Sequence, residues 1–386
     1  MVIFISGLTN KRLLVSLFLL FLAGMAFGAD KFTVTPPTFT GSNPDEIDIL
    51  NKEAIKACNT LKDQLNKDFD FLPDSFDKLA GGFSNAFVFS SDGASQRGYE
   101  GYNAFCFTVG PMLALTKDSF KYIMSIFNNS DEATGSLKHI LNSPFGFSAQ
   151  ISAQFGINTS KFLLEGLYLG FMFSKFDINW INNVIPISGL SFSTMSIGVN
   201  ASYQLIRQKR LLAGLLVWRG LNLGTGFIWQ NTSLNFSPTL SIDDVPITIP
   251  GLGVISWPVN AVIRLGSETK TYIIPVEAMT SIRFAGFLNM ALGAGVDMAF
   301  GSTNINASGS LNVVGKPNGL PPDVDIKDPP IIKLNPLWGK SGPSIFNAKI
   351  LGAVGFNFGP VIIDIPLTYY VSSNGYSIGF TLGVTL

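Results

Sequence analysis

Side chains that usually carry chemistry are scarce in this 386-residue sequence, which has one histidine, His139, and two cysteines, Cys58 and Cys106. A histidine-based metal site needs several ligands at short spacing, and the stretch GSLKHILNSP around His139 supplies none. A nucleophile needs a base and an orienting group brought beside it, and the lone imidazole falls in what reads as a short loop helix. The expectation is a protein that is not an enzyme, with no catalytic residue, metal or cofactor. More informative are polar residues set inside apolar stretches: Glu277, Arg283, Asp297, Lys349 and Asp364, with Asn200, Gln204 and Asn289. Mixed charges gathered on one inner surface could orient a polar solute or set a weak ion selectivity. Alternatively, the same groups close a ladder of salt bridges and hydrogen bonds that fills a narrow barrel.

What must position these residues is a set of strands. In FGFSAQISAQFGIN, residues 145–158, every odd position through Ile157 is apolar and every even one is small or polar. Only a period of two puts such neighbours on opposite faces. The pattern recurs at 195–205, 288–300, 361–372 and 376–386. Ten principal strands are expected, over 104–115, 145–158, 162–177, 190–206, 213–234, 270–284, 287–303, 346–358, 361–371 and 376–386, within a range of eight to fourteen. Connections alternate between short (159–161, 207–212, 285–286, 359–360) and long (116–144, 178–189, 235–269, 304–345), as in barrels with short periplasmic turns and long outer loops. In LLEGLYLGFMFSK, Glu165 and Lys175 are ten residue steps apart, which spans about 33 Å along a strand and brackets the lipid-facing residues between them.

The greasy faces could touch lipid or the second layer of a soluble sandwich. The chain is 47% hydrophobic and only 13% charged, well below the usual quarter for a soluble domain. Yet beyond the first 28 residues no run approaches the 18 or so apolar residues of a membrane helix. Alternation is how a transmembrane barrel disperses its hydrophobicity. Lys11 and Arg12, the run LLVSLFLLFLAGMAF and Ala26-Phe27-Gly28 read as a secretory signal peptide over 1–28. Basic and acidic residues balance at 26 each, so no field recommends nucleic acid as a partner. The expected fold is all-β, an up-and-down transmembrane β-barrel over 104–386 in the bacterial outer membrane. If the alternation holds, the polar residues named above line its lumen.

Residues 29–103 form a separate N-terminal segment. Over 43–79 the period changes: Ile47, Leu50, Ala54, Cys58, Leu61 and Leu65 fall near helical spacing, Asn43 and Pro44 start the run and Pro73 stops it. This helix is expected either inside the lumen as a plug or free in the periplasm. Cys106 should point inward from the first strand, so a Cys58–Cys106 disulfide tethering the helix inside the wall is expected in an exported protein, the alternative being two separate buried thiols. Residues 234–263, rich in Ile, Val, Leu and Pro, are expected to form a loop that covers the mouth, makes a hydrophobic entrance or meets a partner. The proline-dense 315–345 is expected to be extended cover without regular strands.

Over residues 104–386 the sequence resembles the Gram-negative outer-membrane β-barrel proteins, by its signal peptide, alternating strands and apolar last strand ending at Leu386. That resemblance implies membrane lipid and the barrel assembly machinery as partners. The class usually ends in an aromatic residue, where this chain has leucine. In GFSNAFVFSSDGASQRGYEGYNAF, the run Gly93–Tyr99 resembles the segment leading into the first strand of long-chain fatty-acid transporters, without the Asn-Pro that commonly follows. The function expected is passive or gated passage of a small solute, one that could be hydrophobic. The alternative is a surface-exposed, adhesin-like protein whose barrel anchors its loops.

Overall fold

A computed structural model of the protein describes residues 32–68, 75–91, 104–117, 119, 143–160, 164–177, 190–237, 239–249, 253–313 and 324–386. Residues 1–28, expected to be a signal peptide, lie outside them, as do His139, Pro317, Pro321, Pro322 and the Gly93–Tyr99 run.

Ten antiparallel strands close on themselves. They are β3 (Phe105–Thr116), β4 (Phe147–Asn158), β5 (Leu167–Asp177), β6 (Leu190–Ile206), β8 (Leu216–Phe236), β10 (Gly253–Phe284), β11 (Leu288–Val313), β14 (Phe346–Phe358), β15 (Val361–Tyr370) and a last strand in two pieces, β16 (Gly375–Gly379) and β17 (Thr381–Thr385). Each pairs with the next, with the short β7 (Lys209–Leu211) beside β8, and the last strand returns to β3. At that seam Leu386 and Phe105 exchange backbone hydrogen bonds, 3.1 and 2.8 Å. Closure removes the free edge that would leave backbone groups unpaired in hydrocarbon.

The alternation read in the sequence is the alternation of exposure. Along β3 every other residue is buried and its neighbours are open. The open residues are the greasy ones: Phe171, Leu292, Ile350 and Leu382 are exposed while Lys349, on the inner face, is 2% exposed. Such an inverted surface is stable only against lipid, because water would leave a continuous apolar ring unsatisfied. On β10 the belt runs from Tyr272 to Phe284, about twelve residue steps, which a tilt near 40° projects to about 30 Å. Among the described residues no helix is long and apolar enough to cross a membrane; strands make the crossing.

One end of the barrel has tight turns, with positive φ at Gly166, Ala285, Gly286 and Gly359. Glu165 sits in the first of these turns, just before β5, paired with Arg207 at 2.7 Å.

The other end grows into a platform. The β10–β11 ladder continues without a break from Phe284↔Leu288 to Val259↔Val313. β9 (Thr239–Ile249) pairs with the far part of β10, β13 (Ile331–Ser341) with the far part of β11, and β1 (Phe32–Thr35) with β13. β2 (Thr38–Gly41) and β12 (Val324–Asp328) form a small second sheet. Two expectations are corrected here. Residues 253–263 are not loop but the outer part of β10, folded back on β9, and the proline-dense region contains β12 and β13. The prolines do not prevent this: Pro329 and Pro330 stand between the two strands, and Pro336 lies in β13 where its register with β11 shifts.

Two helices precede the barrel. α1 (Pro44–Asp68) packs on β1, β2 and β9. The helix read over 43–79 is therefore not the plug: as α1 it lies on the platform, outside the bore. α2 (Asp77–Ser90) is apolar nearly all round, a composition that requires burial on every side. It contacts β3, β4, β10, β11, β13 and β16, which only a position inside the ring permits.

Candidate functional site: the plugged lumen

α2 enters the lumen from the platform end. Phe76, 1% exposed, precedes it, and Lys340 N–H of β13 donates to Asp77 Oδ1 at 2.7 Å. The bonds to the Ser75 hydroxyl and to Lys340 N–H hold the Asp77 carboxyl below its usual range. About two turns on, Ser344 N–H donates to Asn85 Oδ1 at 2.8 Å. Gly82 lies flat on the wall: a Cβ there would run into the backbone of Pro144 and Phe145, so no larger residue allows this approach.

The last turn closes the bore. Val88 and Phe89 pack among Ala114, Met172, Ile228, Ile273, Ala299 and Tyr370, inward residues of six different strands. The Phe89 and Tyr370 rings stack at 4.0 Å, and the Tyr370 hydroxyl donates to Phe89 O at 3.3 Å. Ser90 Oγ meets Ser148 Oγ at 2.7 Å, and Gln150 Nε2 donates to Ser90 O. Ser174 and Ser196 hydroxyls in turn reach Gln150 Oε1 at 3.2 and 3.4 Å. Apolar contact excludes water from the centre, and a ring of hydroxyls and amides satisfies the helix end.

Beside this closure sits an ion triad. Lys349 is directly opposite Tyr370 in the ladder, and its Nζ lies 2.5 Å from Glu277 Oε1 and 2.7 Å from Asp297 Oδ1. Lys349 and Asp297 side chains are fully shielded. Gly295, in register between Glu277 and Lys349, leaves the space in which they meet. One lysine held by two carboxylates at such distances is a structural lock; opening it would strand charge in a low-dielectric bore.

The other inner residues fall elsewhere. Arg283, Asn289, Gly355 and Asp364 form one cross-strand row nearer the tight turns, where Arg283 Nε donates to Asn289 Oδ1 at 3.0 Å. Asn289 and Asp364 are buried. Gln204 Nε2 donates to Arg219 O at 2.9 Å, and Asn200 remains exposed on the inner side of β6. These two are not brought to the triad.

The disulfide is corrected. Cys58 and Cys106 are buried and not bonded to each other, Cys58 on α1 beside the platform and Cys106 next to the seam at the tight-turn end. Two thiols at opposite ends of a barrel are far beyond the 4.4–6.8 Å that Cα atoms of a bridge allow. Burial raises the Cys58 thiol above its usual pKa.

Sequence reasoning missed α2, whose residues 77–90 straddle the end of the expected helix and the stretch likened to the fatty-acid transporters. A largely apolar run, LAGGFSNAFVF, interrupted only by Ser84 and Asn85, was the available signal. Among the described residues no group of three or more His, Cys, Asp or Glu could hold a metal.

Comparison with solved structures returns other barrels at low similarity. The translocator domain of autotransporter NalP from Neisseria meningitidis is 8% identical over 78% of this chain and 93% of its own, with a TM-score of 0.27. The transport unit of the autotransporter AIDA-I from Escherichia coli is 9% identical over 73% and 90%, TM-score 0.24. A Pseudomonas aeruginosa FadL homologue is 9% identical over 80% and 96%, TM-score 0.24. No curated protein sequence matches. The sequence profile of the Lsa36-like family, in contrast, matches residues 32–386, from β1 through the last strand, and the chain belongs to that family.

Proposed function

We propose that the barrel is an outer-membrane anchor for a surface platform, an adhesin-like role in which the outward sheet and α1 meet macromolecules outside the cell. One observation carries this reading: the bore is closed at the level of Phe89 and Tyr370 while the wall continues far past the membrane. From Thr271 out to Gly253, β10 continues for about 60 Å of strand, about 45 Å beyond the aromatic edge at the same tilt, and β9, β11, β13, β1 and α1 are built onto it. Tight turns at one end and the platform at the other fit an orientation with the platform outside.

Gated passage of a small solute is the second reading. It is favoured by the exposure of Asn200 on the inner face and by the few side-chain hydrogen bonds that hold α2.

Planar-bilayer recording and surface binding separate the two. The anchor reading expects a silent bilayer, together with saturable binding of the nanodisc-embedded protein to immobilised host-surface or matrix proteins. Steady conductance without such binding would replace it with passage.

A further inference from the structure

The outward face of the platform carries polar rows that neither the plug nor the belt uses. Directly opposed residues in a ladder share a face, so register stacks these rows outward from the membrane. Trp229, Tyr272 and Phe300 form the first row, the aromatic edge of the belt; Asn231, Lys270 and Ser302 form the next. Then come Ser233, Glu268, Asn304 and Lys340, and finally Asn235, Gly266, Asn306 and Trp338.

Residues of the two outermost rows line a cleft of about 630 Å³, bounded by Ser75 and Asp77 where they run along β13. Trp338 is 67% exposed there, an unusual position for an indole on an otherwise polar face. Gly266 forms part of the floor: a Cβ would collide with Asn306 Oδ1 and crowd Asn235 Oδ1 at 3.3 Å, so the glycine keeps both amides in place.

We propose that this cleft binds the saccharide headgroup of a glycolipid in the surrounding outer leaflet. Asparagine amides donate and accept at once, which matches neighbouring sugar hydroxyls, and Glu268 adds two acceptor oxygens. The exposed indole offers an apolar face for the C–H side of a sugar ring and an N–H for its rim. Glu268 and Asp77 against Lys340 leave one net negative charge, so the cleft suits the hydroxyls of neutral sugars and not the phosphates that both kinds of lipid share. Location selects the source. Gly266 lies six residue steps beyond Tyr272, about 15 Å above the aromatic edge after tilt, on the same face as the lipid-contacting belt. A headgroup of an adjacent lipid stands at that height, whereas a soluble glycan would have to approach along the membrane surface. The inference rests on the level of the belt and on the proposed outward orientation of the platform, and not on the adhesin-like role.

The test uses the full chain in nanodiscs, with lipopolysaccharide carrying its core saccharide as one probe and lipid A as the other. Lipopolysaccharide is expected to bind at least tenfold more tightly than lipid A. Asn304→Ala/Asn306→Ala and, separately, Trp338→Ala should abolish the difference while heat-modifiable gel mobility shows an intact barrel. Trp338 is exposed, so its removal leaves folding untouched even where the asparagine pair does not. Equal affinity for the two probes, or a preference for lipopolysaccharide that survives both variants, would overturn the proposal. So would preferential binding of a soluble glycoprotein glycan.

Discussion

Lys349 Nζ lies 2.7 Å from Asp297 Oδ1, with both side chains wholly shielded and Glu277 completing the triad at 2.5 Å. Removing the lysine leaves two carboxylates facing each other in the bore. Lys349→Met is expected to destabilise the folded barrel by about 3–5 kcal/mol, read as a lower urea midpoint in detergent. An unchanged midpoint would mean that the three groups are solvated.

The stacked rings of Phe89 and Tyr370 hold the end of the plug. Phe89→Ala removes a ring buried among six strands, at about 3–5 kcal/mol if the cavity does not collapse. That loss should fall on α2 alone. Hydrogen exchange is expected to show faster amides over 77–90 with barrel strands unchanged. Uniform loosening of both would contradict a plug that docks separately from the wall.

Asp77 gives the plug an acid dependence. Its folded-state pKa is lowered by its bonds to Ser75 and Lys340, so the stabilisation is present above the unfolded value of about 4 and is lost as pH falls through the folded one. Exchange at the first turn of α2 should therefore accelerate below about pH 4 relative to the second turn. Asp77→Asn should remove that difference. An acid response persisting in the variant would assign it to another group.

Leu292 is exposed near the middle of the belt. Leu292→Arg should cost about 2–4 kcal/mol in a bilayer, less at Phe358 near the tight-turn rim. Refolding titrations into lipid vesicles measure both. Equal, negligible costs would place the belt in water.

The two thiols are directly countable. Intact-mass analysis after alkylation under non-reducing, denaturing conditions should add two alkyl groups. In the folded protein Cys58 should react slowly at neutral pH and faster as pH rises, because burial raises its pKa. No added groups in the denatured chain would mean that a bridge exists.

Much of the wall was legible because lipid imposes a strict rule. Every strand crossing hydrocarbon must alternate, and a one-residue slip would turn Lys349 or Asp297 into the bilayer. That constraint is written locally, residue by residue, so period two located β3, β4, β6, β14 and β15 to within about two residues. Above the membrane the rule lapses. Glu268, Thr269, Lys270 and Thr271 are polar on both faces, and nothing in them separates a strand from a loop; pairing with β8 and β11 decides it. The proline-dense region is the same case, since β13 exists by pairing with β11 and β1.

By itself, then, the sequence determined the class of fold, the strands within the membrane and the side of the wall each residue takes, because these follow from hydrophobicity at a period of two. Tertiary structure alone decided which helix fills the bore, that Cys58 and Cys106 stay apart, and that Lys349 meets two carboxylates from distant strands. Those facts depend on register, closure and volume inside the ring, which are properties of the assembled sheet and of no local stretch.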